Sequence, residues 1–255
     1  MVSFQRADLR DPTAHGAGTD NADFADIHDV CSVISSCSRD KVGKANLNSR
    51  ASQSSKIPVV RERFTLAQHR KGGFMTAEEM IRCLVGFDTV SRDSNLPLIE
   101  FVENYLDDLG VCSHRVASDD GLKSNLYATV GPDEDGGVVL SGHTDVVPVD
   151  GQDWDTDPFA LNGYDGRLHG RGTCDMKGFI AIALALVPEM KKLRRPVHFA
   201  LSYDEEIGCR GAPEMIEKLA AVLPSTQAVI VGEPTSMTAV TGHKGIVALK
   251  TTVRG

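Results

Sequence analysis

"GVVLSGHTDVVP", residues 137–148, runs from a short apolar stretch into a histidine and an aspartate two positions apart. Val138, Val139 and Leu140 show no alternation of apolar with polar residues, so the stretch reads as a strand buried on both faces. Three other runs have the same character: "NLYATV" (125–130), "PVHFALSY" (196–203) and "QAVIVG" (227–232). Helical patterns lie among them. "MKGFIAIALALV" (176–187) is apolar all round and reads as a buried helix, whereas "APEMIEKLAAV" (212–222) is amphipathic. Strands alternating with helices predict an α/β fold: a three-layer sandwich with a mainly parallel central sheet and helices on its faces. "GIVALKTTVRG" (245–255) reads as one more strand with nothing after it to close a domain.

Upstream of the strands, "TAEE" (76–79) offers Thr76 as an N-cap and Glu79 three residues on, a capping box. Ala77, Met80, Ile81, Leu84 and Val85 follow at helical spacing. A second helix opens near Asn95 and Pro97, carries Leu98, Ile99, Val102, Tyr105, Leu106 and Leu109 on one stripe, and stops at Gly110. Residues 1–74 differ. Stretches such as "KANLNSRASQSSK" (44–56) are polar and aperiodic and bury too little surface to offset their ordering entropy. They read as a disordered extension; an added binding segment, or sequence ahead of a true start at Met75, are the alternatives.

Composition narrows the partners. A chain of 255 residues with 41% hydrophobic residues can bury a sizeable core. Its formal charge of −8 argues against nucleic acid and anionic membranes, which call for basic patches. The apolar stretch Phe179 to Val187 is far too short to span a bilayer. The start has neither the basic, apolar pattern of a secretory signal nor the character of a transit peptide. The six cysteines, Cys31, Cys37, Cys83, Cys112, Cys174 and Cys209, lack metal-type spacing and read as reduced thiols in the cytoplasm.

The polar residues gather where ligands bind in such sheets, outside the carboxyl ends of strands. His143 and Asp145 follow one strand, and Asp204, Glu205 and Glu206 follow another. Glu233 follows a third, and Asp175 lies in the Gly-rich loop before a buried helix. Each alone has a plain structural explanation. The histidine could be a core residue, Asp175 an N-cap, the acids a complement to a helix dipole, and Glu233 a solvated turn residue. Together they would crowd carboxylates around one imidazole, and such a cluster resists ionisation unless a cation neutralises it. Oxygen and imidazole donors suit Zn, Mn or Co. In an extended segment His143 and Asp145 point to one side, so Asp145 could accept the proton of the ring nitrogen not used for metal. Glu205 and Glu206 would point apart, one to a metal and one to a water.

"SGHTDVVPV", "GRGTCDMKGF" (170–179), "SYDEEIGCRGAP" (202–213) and "VGEPTSM" (231–237) resemble the metal sites of the dinuclear zinc aminoacylase and carboxypeptidase family. The likeness spans about residues 75–255, with the motifs in family order. Within the family, "GRGTCDMKGF" and "DEEIGCRGAP" point to the branch that deacetylates N-acetylornithine rather than to desuccinylases and dipeptidases. The resemblance implies hydrolysis of N-acetylornithine to ornithine and acetate, a step in arginine synthesis. A related deacylase or carboxypeptidase, such as a succinyl-diaminopimelate desuccinylase, or a non-catalytic metal-binding remnant, is the alternative. Carried over by position, His143 and Glu233 bind one metal, Glu206 binds the other, and Asp175 bridges both across a cis peptide to Met176. Glu205 is the general base and Asp145 orients His143. Two Zn2+ ions are implied, with Co2+ or Mn2+ also suited. "WDTDPF" (154–159) would help wall the site, a surface turn being the plain alternative.

The chain departs from the family in one respect. Members insert a lid and dimerisation domain after the segment matching "GHKGIVALKTTVRG" (242–255), then return to supply a second metal-binding histidine. None of His15, His28, His69, His114, His169, His198 and His243 sits in a matching motif. The expected organisation is an extension (1–74), an incomplete catalytic domain (75–242) and the start of a lid (243–255). Such a chain would bind one metal more tightly than a second and turn over a small-molecule substrate poorly; the complete enzyme is expected to be a homodimer.

Overall fold

The apolar run at 137–143 becomes the middle of a sheet of six described strands, ordered β1-β8-β4-β7-β3-β2. The computed structural model describes residues 3–5, 74–164, 166–242 and 251–253. Its strands are β1 (Ser3–Gln5), β2 (Ser113–Ala117), β3 (Ser124–Val130), β4 (Gly137–His143), β5 (Asn162–Tyr164), β6 (Arg167–His169), β7 (Val197–Ser202) and β8 (Thr226–Val231). Its helices are α1 (Ala77–Val85), α2 (Leu96–Asp108), α3 (Lys177–Ala185), α4 (Val187–Met190) and α5 (Ala212–Val222). Apart from Ser3–Gln5, which pairs antiparallel with β8, the segment before Phe74 lies outside the described residues, as do residues 245–250 of the strand expected over 245–255; residues 251–253 are described and form no strand.

The centre of the sheet is parallel, as the alternation of strands and helices requires: β4 pairs in parallel with β7 on one side and β8 on the other. The flanks are antiparallel, so the sheet is more mixed than "mainly parallel" describes. β2 and β3 are joined by only residues 118–123, a connection long enough for a hairpin and too short for a parallel crossover. β3 then lies antiparallel against β7. A separate two-stranded hairpin, β5–β6, projects between β4 and α3 in sequence.

Side-chain alternation along the strands builds two cores. Leu126, Ala128, Val130, Val138, Leu140, Val197, Phe199, Leu201 and Ile230 face helices α1 to α4. Tyr127, Val139 and Ala200 face the other way, onto Met215 and Leu219 of α5. Helices on both faces give the three layers. The capping box forms: Glu79 N donates to Thr76 Oγ1 at 3.2 Å and Thr76 N to Glu79 Oε2 at 2.8 Å. The apolar helix expected over 176–187 is shorter, ending at Ala185, with Pro188 in the first turn of the brief α4 that follows. No helix among the described residues is long and apolar enough to cross a membrane.

One close approach couples the sheet to α3 beside the site. A Cβ placed on Gly232 would overlap the Phe179 ring, which is itself buried. Gly232→Ala must displace that ring and should cost about 1–3 kcal/mol, the usual range for overpacking. Denaturant unfolding of the two proteins measures it; unchanged stability would mean that the ring has room to move.

Candidate metal centre

Parallel pairing brings the ends of β4, β7 and β8 to one edge. His143 closes β4 opposite Ser202 of β7, and Ser141 lies opposite Val231 of β8. The next residues on β7 lead to Glu205 and Glu206, and the second residue past β8 is Glu233. Asp175 arrives from the other direction, at the end of the loop before α3, and the Asp175–Met176 peptide is cis.

The His143 ring is buried, with only 2% of its side chain exposed. Its Nδ1 lies 2.9 Å from the Asp145 backbone oxygen, which fixes that nitrogen as a donor. Nε2 therefore faces the acids: Asp175 Oδ1 at 3.0 Å, Glu233 Oε1 at 3.8 Å and Glu205 Oε2 at 3.9 Å. One ligand atom from each of His143, Asp175 and Glu233 lies within 4.8 Å of the other two. Glu206 stands outside that trio, yet close enough to feel the charges of His143, Asp175, Glu205 and Asp145.

The acids do not sit where their plain explanations would put them. Asp175 is not an N-cap, since Met176 occupies that position without any side-chain cap. Glu205 and Glu206 precede α5 by a whole loop, with Gly211 at its N-cap, so they are not placed to complement its dipole. Glu233 Oε1 comes within 3.8 Å of His143 Nε2, although a third of the side chain stays exposed. Asp204 separates from its neighbours: it is buried and paired with Lys123. Asp145 orients His143 through its carbonyl. Its carboxylate, 3.6 Å from Nδ1, is too far for a hydrogen bond and accepts instead from Ser91 Oγ at 2.6 Å, Glu205 N at 3.1 Å and Glu206 N at 3.3 Å. Extended geometry placed the two side chains together, but the carbonyl of Asp145 reaches the ring first.

The charges interact strongly. Burial alone would push the His143 ring down, but the Asp145 and Asp175 carboxylates and the Glu233 charge outweigh it and raise the ring to about 11. Burial raises Glu233 to about 6; His143 opposes that shift, and Asp175, Glu205 and Glu206 add to it. Burial likewise raises Glu206. Without a metal, the charge that offsets these acids at close range is a proton on His143. An imidazole nitrogen aimed among carboxylates, with its other nitrogen tied to a carbonyl, is a donor set that fits a divalent cation such as zinc.

Residues 139–248 match the family described as Peptidase family M20/M25/M40. The chain is 40% identical over 177 residues to an acetylornithine deacetylase of Myxococcus xanthus, covering 68% of this chain and 45% of that one. The matched segment belongs to this peptidase family. An acetylornithine deacetylase of Shigella sonnei is 35% identical over 187 residues, 69% of this chain and 48% of that one. The chain thus spans less than half the length of these relatives. Among solved structures, an M20 family metallo-carboxypeptidase from Sulfolobus solfataricus shares the fold at a TM-score of 0.52 and 20% identity, over 60% of this chain and 37% of that one. Human carnosine dipeptidase 1 does so at 0.51 and 24%, over 61% and 38%.

Around the family's motifs the structure adds residues that sequence reading missed. Ser91 holds Asp145, and buried Asn95 bridges Ser124 and Thr144. Lys177 of the "DMKG" motif is fully buried, donates to Phe87 O at 2.7 Å, and is pushed down by burial to about 7. In sequence Ser91 and Asn95 look like ordinary turn and cap residues, while Lys177, a lone cation in a helix read as buried, is the one signal available. The "WDTDPF" loop packs on the Gly-rich loop: Arg171 N donates to Pro158 O at 2.7 Å, and the Arg171 guanidinium lies 5.2 Å from the Trp154 ring centre.

Because His143 holds a proton to about pH 11 without metal, an ion binding at neutral pH must displace it. Affinity for zinc should therefore rise about tenfold per pH unit above pH 6, and more steeply below, where Glu233 is protonated too. Calorimetry in buffers of different ionisation heat should show about one proton released per ion near neutral pH, and His143→Ala should abolish both binding and release. Binding without proton release would place the ion elsewhere.

Proposed function

We propose that the chain acts as a metal-dependent amide hydrolase that removes the acetyl group from N-acetylornithine, giving ornithine and acetate. The observation that carries this reading is the arrangement at the three strand ends: a metal-type trio, His143, Asp175 and Glu233, with the Glu205 carboxylate 3.9 Å from His143 Nε2 and more than a third exposed. The substrate is supported by the names of the relatives, which are 35–40% identical.

In this reading His143, Asp175 and Glu233 hold one zinc ion, and Asp175 with Glu206 contributes to a second. Bound there, zinc supplies Lewis acidity, polarising the acyl carbonyl and acidifying water. The protein supplies the proton handling. Glu205 is tethered by its backbone to Asp145, so its carboxylate swings only from a fixed point. It takes the proton of the attacking water and returns it to the nitrogen of the departing amine. Asp145 stays ionised and so keeps its hydrogen bonds. Burial opposes this, but His143, the Ser91 hydroxyl and the Glu205 amide hold it below the usual carboxylate range.

Glu205→Gln keeps the shape of the site but cannot accept a proton. In a chain of the relatives' full length it should bind zinc as before and lose about 10²–10⁴-fold in kcat, the usual contribution of a general base. Acetate release from N-acetylornithine, compared with succinate release from N-succinyl-diaminopimelate, measures both base and substrate. A variant that kept most of its turnover would require a different base, and preference for the succinyl compound would move the chain to another branch of the family.

A further inference from the structure

The loop that carries Glu205 and Glu206 leaves β7 at Tyr203 and returns at Gly211, and its two stems are bound to each other. Gly211 N donates to Tyr203 O at 3.2 Å and Arg210 N to Asp204 O at 3.0 Å. Buried Asn125 of β3 clamps both stems: its Oδ1 accepts from Tyr203 N at 3.2 Å and its Nδ2 donates to Gly211 O at 3.0 Å. A Cβ at Gly211 would sit 2.7 Å from Tyr203 O, so the closure needs glycine there.

Within this closed loop Asp204 takes φ 56°, a left-handed turn that most residues avoid and aspartate tolerates. The turn lets the next two amides, Glu205 N and Glu206 N, reach the same Asp145 carboxylate. Asp204 itself takes no part in the donor trio. Its carboxylate forms a largely buried ion pair with Lys123, from the turn before β3. The same ammonium donates to Ser91 O at 2.5 Å, and Ser91 Oγ holds the other side of Asp145 at 2.6 Å. One cation therefore touches both segments that hold Asp145 in place.

We propose that Lys123 is a positioning residue for the general base: by neutralising Asp204 in its left-handed turn and gripping Ser91, it fixes the backbone from which Glu205 and Glu206 reach the metal centre. The base role rests on the proposed function; the positioning role does not. An enclosed pair of this kind differs from an exposed ion pair, because removing one partner leaves a buried charge uncompensated. Without Lys123, Asp204 gains most by rotating toward water, and that motion pulls the Glu205 and Glu206 amides off Asp145.

The test uses amide exchange by NMR on the metal-free full chain, read residue by residue. Lys123→Met should speed exchange at the Glu205 and Glu206 amides by about tenfold or more, and leave Val139 and Leu140 of β4 unchanged. Lys123→Arg, which keeps a cation, should restore slow exchange, and Lys123→Met with Asp204→Asn should recover part of it. In a chain of the relatives' full length assayed for acetate release, Lys123→Met should lower kcat by about tenfold to a hundredfold with little change in KM, as expected when a catalytic group is misplaced. Wild-type exchange at Glu205 and Glu206 in Lys123→Met, or equal acceleration throughout the sheet, would overturn the proposal. A wild type of the relatives' full length that released no acetate would overturn the hydrolase reading alone, since the exchange results would still decide the role of Lys123.

Discussion

Asp145 lies where three segments of the chain meet, and each reaches it by a different bond. Its carbonyl oxygen takes the Nδ1 proton of His143, and its carboxylate takes the Ser91 hydroxyl and two consecutive amides of the loop after β7. A buried carboxylate is tolerated only when it is this fully satisfied. The consequence is geometric. The residue that decides which nitrogen of His143 faces the acids also decides where Glu205 and Glu206 start from, so the ring and the glutamates cannot drift independently.

The sheet supplies the rest of the convergence. Parallel pairing of β8, β4 and β7 puts three strand ends on one edge. The antiparallel flank, β3 and β2, then brings Lys123 and Asn125 beneath the loop after β7. Mixed topology thus has a use here: the parallel centre gathers the strand ends, and the reversed strand beside it reaches the loop that carries Glu205 and Glu206. The result is a cluster of acids that raises its own proton affinity, visible in His143 at about 11 and Glu233 at about 6. A site that holds protons this tightly is one that a divalent cation can discharge.

Much of this was legible in the sequence, and the limits have physical causes. β3, β4, β7 and β8 announce themselves because strands buried on both faces must be continuously apolar. β2, at the sheet edge, keeps exposed polar residues such as His114 and Arg115 and gives no such signal. The three-residue strands of the β5–β6 hairpin are equally mute. The candidate donors stood out in sequence because histidine and acids directly after apolar strands are conspicuous, and because their order matches a family. The support beneath them did not. Ser91 and Lys123 sit in polar stretches, Asn95 reads as the opening of a helix and Asn125 as the start of a strand, and only the folded chain shows that their side chains are enclosed. The role given to the Asp145 side chain fell to its own carbonyl for a similar reason: strand periodicity gives the side a residue faces, not the distance it spans.

The central claim is that three strand ends and one loop build a cation site around His143 Nε2. Crystals grown with zinc and measured on both sides of the zinc absorption edge test it directly. An anomalous peak is expected about 2.0–2.2 Å from His143 Nε2 and from carboxylate oxygens of Asp175 and Glu233, the normal zinc bond lengths. A peak held by Cys174 or Cys209 instead, or His143 still hydrogen-bonded to Asp175 with no peak between them, would contradict it.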